Sequence, residues 1–546
     1  MTVAGLAAAF GSGAMTNSID EIEFSDLILA MGTNTTENHP VIGSKVKRAV
    51  RKHGARLIVI DPREIDLTRY ADIWLCPKPG TNVAVINGLM NVIVSEGLHA
   101  KDYIEERTEG FDPMKKTIEK YTPKFVGEIT GISVEDLRSA ARMYATANRA
   151  AVLYAMGITQ HTTGTDNVKS LANLAMLCGN VGIEGGGVNP LRGQNNVQGA
   201  CDMGALPNVY PGYQQVASTE ARTRFEKAWG VSLPAKPGKT IVEITKAAHK
   251  GDIKGLYVMG ENPMLSDPDL KHVEEAFKNL DILVVQDIFL SETAQMADVV
   301  LPSACFAEKD GTFTNTERRV QRIRKAVPPP GEAKADWEII SEIATRMGYP
   351  MKYNSSSEIM DEIRQVTDTY AGITYDRIET EGIQWPCPNP DHPGTKYLHK
   401  DRFSRGRGLF HAIDYKPPAE LPDDEYPLYL STGRVLYHFH TGTMTRRAKG
   451  PVERYPESLV EINHKDAEKY GIEDGETVKV STRRGSVEAK TRVTSRSPEG
   501  TIFMNFHFRE AAVNLLTNPA LDPVGKIPEF KVCAARVENI QSGPVE

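Results

Sequence analysis

The segment 189–204 contains the residue types best suited to polar chemistry in this chain of 546 residues. It is rich in glycine, asparagine and glutamine, and Arg192 is its single basic residue. Glycines and side-chain amides at this density predict a loop whose backbone approaches a polar ligand. A guanidinium stays charged when it is desolvated and binds a carboxylate through two parallel hydrogen bonds. Arg192 is therefore a candidate for holding an anionic substrate, and an arginine that only fixes its own loop is an equally good interpretation.

An internal repeat surrounds this loop in the sequence and indicates a duplicated α/β unit. The matched segments are 29–34 with 257–262, 57–61 with 283–287, 71–75 with 297–301 and 80–81 with 311–312. Short apolar segments alternate with helical patterns, which predicts βαβ units and a mostly parallel sheet. In the first copy we predict strands at 27–31, 57–60 and 73–76, a helix that ends at Gly54 and another that begins at Val83.

Each copy places Gly-x-Asn at the end of one predicted strand and an acidic or amide side chain at the end of the next. These residues are Gly32, Asn34 and Asp61 in the first copy, and Gly260, Asn262 and Gln286 in the second. Ligands of open parallel sheets bind beyond the carboxyl ends of the strands, where glycine lets the backbone approach a phosphate. Two related nucleotide sites are therefore predicted, and turn chemistry alone is the alternative interpretation of Gly-x-Asn.

The predicted fold class is α/β, with two related doubly wound nucleotide-binding domains and a C-terminal β-barrel. We expect a first α/β domain at 1–193, a second at 194–330, a connecting segment at 331–418 and the barrel domain at 419–546. The connecting segment contains one clear helical pattern, at 336–347. Strand patterns dominate near the end of the chain, at 459–462, 477–481, 487–493 and 501–506.

Charge and hydropathy argue against two classes of partner. The net charge of -7 and the pI near 6.1 give no cationic surface for phosphate backbones, so no nucleic acid partner is expected. The most apolar long segment, 83–94, is too short to cross a bilayer. Residues 1–19 contain no lysine or arginine, which a secretory signal would need. We therefore expect no membrane span, no export signal and a cytoplasmic location.

The cysteines do not predict a metal site from local spacing. The six cysteines include no CxxC pair, which zinc and iron–sulfur sites commonly use. Cys387 and His392 lie in a proline-rich stretch, and two residues there are not expected to bind a metal. No metal ligand is assigned within the chain.

Several motifs, in order along the whole chain, resemble the formate dehydrogenases of the molybdopterin oxidoreductase family. They are Gly-Ser-Gly-Ala-Met-Thr-Asn at 11–17, Asp-Pro-Arg at 61–63, the loop at 189–213 and Pro-Glu-Phe-Lys at 528–531. The resemblance implies two molybdopterin guanine dinucleotides around one molybdenum or tungsten, with one nucleotide for each α/β domain. Several long motifs are far more specific than a single glycine-rich loop.

The resemblance also implies roles for individual residues. One dinucleotide would be bound by Asn34, Asp61 and Thr81, and the other by Asn262 and Gln286. The pterin would lie near Met156, Gly157, Gln160 and Gln194. Matching positions in the last domain are Arg434, His438, Asn514 and Lys531. Two of these have simpler interpretations, since His438 fits a strand end and Asn514 fits a helix cap. Arg192 would hold the formate carboxylate so that its C–H bond points at the metal as CO2 forms.

In the family, a cysteine or selenocysteine followed by histidine precedes the segment that matches residues 2–6. We expect that ligand, in selenocysteine form, to be encoded just upstream of Met1, after the cysteines that bind an iron–sulfur cluster. Residues 1–546 alone are then expected to oxidise little formate, and electrons are expected to leave through a partner subunit.

Two alternatives stay open at this point. The first is another molybdopterin oxidoreductase, such as a nitrate reductase, and the formate-type loop around Arg192 argues against it. The second is a non-catalytic protein that binds the pterin cofactor, and the missing metal ligand favours it.

Overall fold

The computed structural model describes residues 1–540, which form two compact units. The first unit contains Met1–Gly193, Leu265–Leu270 and the chain from Tyr397 onward. The second unit contains Gln194–Met264 and Lys271–Lys396. The domain boundaries predicted from the sequence divide the chain more finely and stay a prediction.

The α-helices are numbered along the chain. They are α1 Thr2–Phe10, α2 Thr35–Asn38, α3 Pro40–His53, α4 Asn82–Ser95, α5 Lys101–Arg107, α6 Phe111–Ile118, α7 Pro123–Thr130, α8 Val134–Ala145, α9 Met156–Thr159, α10 Gly164–Leu177, α11 Val197–Asp202, α12 Thr219–Trp229, α13 Ile241–His249, α14 Pro263–Ser266, α15 Leu270–Lys278, α16 Asp336–Arg346, α17 Ser356–Val366, α18 Lys449–Arg454 and α19 His464–Tyr470. Within residues 1–540, none of these helices is long and apolar enough to span a membrane.

The strands are numbered in the same way. They are β1 Leu27–Met31, β2 Arg56–Ile60, β3 Ile73–Leu75, β4 Thr108–Glu109, β5 Ala150–Tyr154, β6 Val188–Pro190, β7 Val209–Tyr210, β8 Gln214–Gln215, β9 Gly255–Met259, β10 Ile282–Asp287, β11 Val299–Pro302, β12 Gly311–Thr314, β13 Arg319–Ile323, β14 Ile383–Gln384, β15 Gly408–Leu409, β16 Leu428–Gly433, β17 Leu459–Ile462, β18 Thr477–Thr482, β19 Gly485–Val493, β20 Thr501–Asn505 and β21 Cys533–Asn539.

The first unit contains a five-stranded parallel sheet in the order β3-β2-β1-β5-β6. All five residues of β1 are buried, because helices cover both faces of the sheet. Leu29 and Ile58 pack towards α4 and α10, whereas Ile28 and Val59 pack towards α3. This doubly wound arrangement confirms the predicted α/β class.

The second unit repeats part of that sheet. Its three parallel strands follow the order β11-β10-β9, with Met259 opposite Gln286 just as Met31 lies opposite Ile60. The backbone bonds repeat as well, since the Gly32 amide donates to Ile60 at 3.0 Å and the Gly260 amide donates to Gln286 at 2.9 Å. The structure therefore confirms the internal repeat.

The C-terminal part of the first unit is a closed six-stranded barrel in the order β16-β20-β17-β19-β18-β21. Buried and accessible residues alternate along β16 and β19, because one side of each strand faces the barrel core. The predicted barrel and its four sequence-derived strands are confirmed within one or two residues at most ends, with β19 beginning two residues earlier.

One local expectation was wrong. The segment 189–204 is not entirely loop, because it contains the end of β6 and the short helix α11. Asp202 ends α11 and accepts a hydrogen bond from Gln198 within the helix at 2.7 Å. It also accepts one from Tyr213 at 2.8 Å, so a contact beyond the helix helps to stabilise it despite its glycine.

Candidate functional site

Two glycine backbones meet at the carboxyl end of β1. Gly32 has a φ of 57°, and its carbonyl accepts a hydrogen bond from the Gly157 amide at 3.1 Å. A Cβ on Gly32 would lie 2.7 Å from the carbonyl carbon of Gly157, and a Cβ on Gly157 would lie 2.7 Å from the Cα of Gly32. Only glycine fits at either position without movement of the backbone. This contact brings the start of α9 to the end of β1.

Buried polar atoms without partners collect just beyond Gly32. In the described part of the chain, the hydroxyls of Thr33 and Thr35 and the Nδ2 of Asn34 are buried and make no hydrogen bond. The Oδ1 of Asn34 accepts the Glu37 amide at 3.4 Å, so Asn34 also caps α2. Buried donors and acceptors are normally paired in folded proteins. Three adjacent exceptions at one strand end suit a polar ligand.

Asp61 and Lys531 supply the ionisable groups of the same region. The Asp61 carboxylate accepts the Arg63 amide at 3.0 Å, and burial raises the pKa of Asp61 to about 6. Burial lowers the pKa of Lys531 to about 7, although the Asp61 charge opposes this. The Nζ of Lys531 donates to the Thr432 carbonyl, and its amide donates to the Gln160 carbonyl at 3.3 Å. The structure therefore brings Asp61, Gln160 and Lys531 together.

Two more predicted residues, Thr81 for the first dinucleotide and Met156 near pterin, differ in how far their side chains are already engaged. Thr81 is buried at the start of α4, and its hydroxyl donates to the Lys78 carbonyl at 2.7 Å. Met156 begins α9 and is 38% exposed, so it offers an apolar surface for a ring system. Its Sδ accepts the Thr159 hydroxyl at 3.5 Å.

The backbone of Arg192 is held from two sides within the first unit. Arg192 lies two residues beyond β6, and the intervening Leu191 amide donates to the Tyr154 carbonyl at 2.8 Å. The Arg192 carbonyl accepts a hydrogen bond from the Nε2 of His39 at 2.8 Å. The next carbonyl, that of Gly193, accepts one from the Arg434 guanidinium at 3.0 Å. We call these two contacts the Arg192 clamp, and they fix the backbone that carries the candidate substrate arginine.

Three histidines near Arg434 are neutral at pH 7. Burial lowers the pKa of His39. It also lowers the pKa of His440 to about 4 and the pKa of His507 to about 3. His39 must therefore carry its proton on Nε2, because that atom faces a carbonyl oxygen. Burial also lowers the pKa of Arg434, to about 10, which leaves it charged at pH 7. The fixed positive charge near pH 7 comes from arginine and not from histidine.

Two residues predicted for the last domain are occupied by internal contacts. Both ring nitrogens of His438 are engaged, one with the Tyr455 carbonyl at 2.7 Å and the other with the Thr445 hydroxyl at 3.2 Å. The Nδ2 of Asn514 donates to the carbonyls of Leu265 at 2.9 Å and Ser266 at 3.2 Å. These contacts favour structural roles, and cofactor binding by His438 and Asn514 stays a prediction.

The corresponding residues of the second unit are also engaged. The Oδ1 of Asn262 accepts the Thr293 hydroxyl at 2.8 Å, and its Nδ2 donates to Glu292 at 2.7 Å. The Nε2 of Gln286 donates to Asp336 at 2.7 Å. Gly260 has a φ of 63° and open space where a Cβ would stand. Gln194 is only partly buried.

Contacts between distant segments account for the motifs that sequence reasoning left unexplained. The Arg63 guanidinium pairs with Glu461 at 2.6 Å and lies 3.4 Å from the ring centroid of Phe503, which attaches the Asp-Pro-Arg motif to the barrel. Glu529 accepts the amide of Thr162 at 3.1 Å and its hydroxyl at 3.0 Å, which attaches the Pro-Glu-Phe-Lys motif to the chain after α9. The charged side chains inside these motifs, Arg63 and Glu529, were the sequence signal that could have indicated such contacts.

The first unit fits a pterin dinucleotide by its chemistry. The unpaired donors at Thr33, Asn34 and Thr35 suit the oxygens of a phosphate or the polar edge of a pterin. The Asp61 carboxylate suits the adjacent N–H groups of guanine, since both its oxygens are acceptors. Lys531 lies near Asp61 and adds a positive charge when it is protonated.

Comparison with known proteins agrees with this chemistry. Residues 4–346 match the family model described as Molybdopterin oxidoreductase, and residues 428–534 match the Molydopterin dinucleotide binding domain. The F420-dependent formate dehydrogenase subunit alpha of Methanocaldococcus jannaschii is 56% identical, over 99% of this chain and 80% of that protein. Formate dehydrogenase H of Escherichia coli strain K12 is 45% identical, over 99% of this chain and 76% of that protein.

Among solved structures, the acetylene hydratase of Pelobacter acetylenicus has a TM-score of 0.77 at 21% identity, over 98% of this chain and 80% of that one. At this identity the likeness shows the fold alone. The family model covers more than half of the sequence, and the two relatives are similar along nearly all of it. The chain therefore belongs to the molybdopterin oxidoreductase family.

Proposed function

We propose that this chain oxidises formate to CO2 as the pterin-binding catalytic subunit of a formate dehydrogenase. The Arg192 clamp is the observation that carries the proposal, because it presents one arginine from a backbone fixed on both sides. The names of the relatives support the choice of substrate, since both are formate dehydrogenases and match 99% of the chain. Neither nitrate reduction nor cofactor binding without catalysis has comparable support.

The reaction converts HCOO⁻ into CO2, one proton and two electrons. Two molybdopterin guanine dinucleotides around molybdenum or tungsten supply, when bound, the centre that accepts the two electrons. Arg192 binds the formate carboxylate through two parallel hydrogen bonds, which leaves the C–H bond at the opposite end of the substrate. His39 and Arg434 keep the carbonyls of Arg192 and Gly193 in place, so they are positioning residues.

We propose the following cofactor contacts, which the orphan donors beyond Gly32 and the ionisable pair Asp61–Lys531 support. One dinucleotide would contact Gly32, Asn34, Asp61 and Thr81, and the second would contact Gly260, Asn262 and Gln286. The pterin would lie near Met156, Gly157, Gln160 and Gln194. The last domain would add Arg434, His438, Asn514 and Lys531. Guanine recognition by the Asp61 carboxylate is the most specific of these contacts, because it pairs an acceptor with the N–H edge of the base.

Electron transfer to a partner subunit is part of the proposal. The M. jannaschii relative is named as an alpha subunit and as F420-dependent, which supports coenzyme F420 as the eventual acceptor. The cysteine or selenocysteine ligand and the iron–sulfur cluster implied by the resemblance would lie outside residues 1–546, so they stay predictions. A cytoplasmic location stays a prediction as well.

The test is the Arg192→Lys variant in the assembled enzyme. A lysine keeps the charge but loses the second of two parallel hydrogen bonds. Hydrogen bonds to charged groups contribute about 1.5 to 3 kcal/mol, so kcat/KM for formate should fall by roughly 10- to 150-fold. Guanine nucleotide content should not change, because the residue holds substrate and not cofactor.

Arg69→Lys is the matched control, since the Arg69 side chain is 76% exposed and lies far from this chemistry in the sequence. It should leave formate turnover unchanged. Unchanged kinetics in Arg192→Lys, with full cofactor content, would contradict the proposed substrate role of Arg192.

A further inference from the structure

Three metal-ligating side chains meet on the helices that pack behind the second sheet. His249 is the last residue of α13, and His272 and Glu275 lie on α15. One donor atom from each of the three lies within 4.8 Å of the other two. The two imidazole rings are 4.5 Å apart at their centroids, and Nδ1 of His249 is 3.9 Å from Glu275.

The fold sets this cluster in place before any ligand binds. His272 and Glu275 are three residues apart, which puts them on the same side of a helix. The neighbouring residues Ala248, Val273 and Ala276 are buried in one apolar cluster with strands β9 and β10. The donor residues therefore stand at the edge of a packed core, so their backbones have little freedom.

A direct contact also joins the two helix ends. The Nδ2 of Asn279, which follows α15, donates to the His249 carbonyl at 2.9 Å. The C-terminus of a helix carries partial negative charge, which favours a cation beside His249. Among the described residues, the Nε2 of His272 is buried and makes no hydrogen bond. Since buried polar atoms are normally paired, this nitrogen is available to bind a metal ion.

The donor set selects a class of metal. Two imidazoles and one carboxylate are borderline ligands that suit zinc and its first-row neighbours. Calcium and magnesium prefer six or more oxygen donors, which this cluster does not offer. The exposed lysines at 246, 250 and 271 flank the donors in the sequence and further disfavour cations that bind by charge alone.

We propose that His249, His272 and Glu275 form a zinc site that ties the end of α13 to α15. Three protein ligands leave a fourth position for water. Binding fixes two helices that support β9 and β10, whose carboxyl ends carry Gly260 and Gln286. The site is separate from the proposed formate chemistry and does not depend on it.

Zinc chloride titrated into the purified full-length chain after chelation, in competition with a chromophoric chelator, tests the site. We expect the wild-type chain to bind one zinc at this site. His249→Ala and His272→Ala should each weaken the affinity of the site for zinc by more than about tenfold. Glu275→Gln removes the anionic ligand at an exposed position and should weaken binding without disturbing the fold. Zinc should raise the melting temperature of the wild-type chain and not that of His272→Ala.

His53→Ala is the matched control. His53 ends α3 as His249 ends α13, and its Nε2 lies 3.7 Å from a carboxylate of Glu23. Within residues 1–540 it belongs to no group of three metal-binding side chains. This variant should keep the zinc stoichiometry and affinity of the wild type. The proposal is overturned if the His249 and His272 variants bind zinc as the wild type does, for example through cysteines, or if wild type binds no zinc.

Discussion

The two α/β repeats have the same backbone hydrogen bonds but differ in what their strand-end side chains do. Asp72 accepts the Leu57 amide at 2.8 Å, and its counterpart Asp298 accepts the Leu283 amide at 2.7 Å. The strand-end amides have diverged, since Asn34 keeps an unpaired Nδ2 whereas both polar atoms of Asn262 are bonded within the second unit. Duplication has preserved the backbone frame, and at the matched strand ends Asn34 leaves a side-chain donor available to a ligand whereas Asn262 does not.

The surroundings of the two sheets differ too. The first sheet is extended by β5 and β6, and the Arg192 clamp follows directly from β6. The second sheet has three strands, and one of its faces exposes Tyr257 by 42% and Met259 by 47%. Arg192, the proposed substrate arginine, thus follows a part of the first sheet that the second repeat lacks.

The largest expected contrast between the repeats is at the matched glycines. Gly32→Ala places a Cβ 2.7 Å from the Gly157 backbone at a positive φ, so it should cost about 2 to 5 kcal/mol of folding free energy. Gly260→Ala has the positive φ but open space around the Cβ, so it should cost only about 1 to 2 kcal/mol. Denaturant unfolding followed by tryptophan fluorescence measures both. Equal losses would show that the Gly32–Gly157 contact is not rigid.

A smaller effect is expected at the clamp. His39→Leu removes the donor to the Arg192 carbonyl, and a net hydrogen bond of about 0.5 to 1.5 kcal/mol corresponds to a rise in the formate KM of about 2- to 12-fold. His39→Gln supplies an N–H near the position of Nε2 and should recover most of the wild-type KM, with kcat little changed in both. Equal KM values for the leucine variant and the wild type would remove His39 from the positioning role.

The smallest effect concerns pH and arises at the Asp61 carboxylate of the first repeat. The pKa of Asp61 in the folded chain is about 6, above the ordinary value of 3.8. As pH rises, Asp61 therefore ionises first in the unfolded chain. The free energy of unfolding without ligand should fall between about pH 4 and 6. A guanine that donates to the ionised carboxylate binds more tightly above pH 6 and is released faster below it.

Nucleotide release from the assembled enzyme, followed by chromatography between pH 5 and 8, checks this dependence. In Asp61→Asn, release attributable to the first site should be faster and nearly independent of pH. A wild-type release rate that is flat through pH 6 would contradict a carboxylate contact at Asp61.

Much of the frame was predictable because local sequence determines it. The apolar segments 27–31 and 57–60 became buried parallel strands, and α3 ends at His53 with Gly54 in the left-handed conformation that glycine favours. The strand-end glycines and Asn34 were identified because the repeat doubled their signal. In these cases, the spacing of apolar residues and the preferences of turn residues favour the same structure as the tertiary contacts do.

The rest depended on contacts between residues far apart in the sequence. His39 lies 153 positions from Arg192 and Arg434 lies 241 from Gly193, so no local pattern joins them. The short helix α11 was missed because the buried carboxylate of Asp202 is held by Tyr370 at 2.5 Å and Trp385 at 2.7 Å, both distant in the sequence. Polar contacts of this kind are specified by the fold and not by neighbouring residues.

We propose that each repeat holds one guanine dinucleotide, although Asn34 keeps an unpaired side-chain donor and both polar atoms of Asn262 are already bonded. Acid release of nucleotides from the cofactor-saturated enzyme, with quantification per polypeptide, measures this directly. We expect two guanine nucleotides per chain. A maximum of one at saturation would contradict it and would leave the second repeat as a structural copy without a ligand.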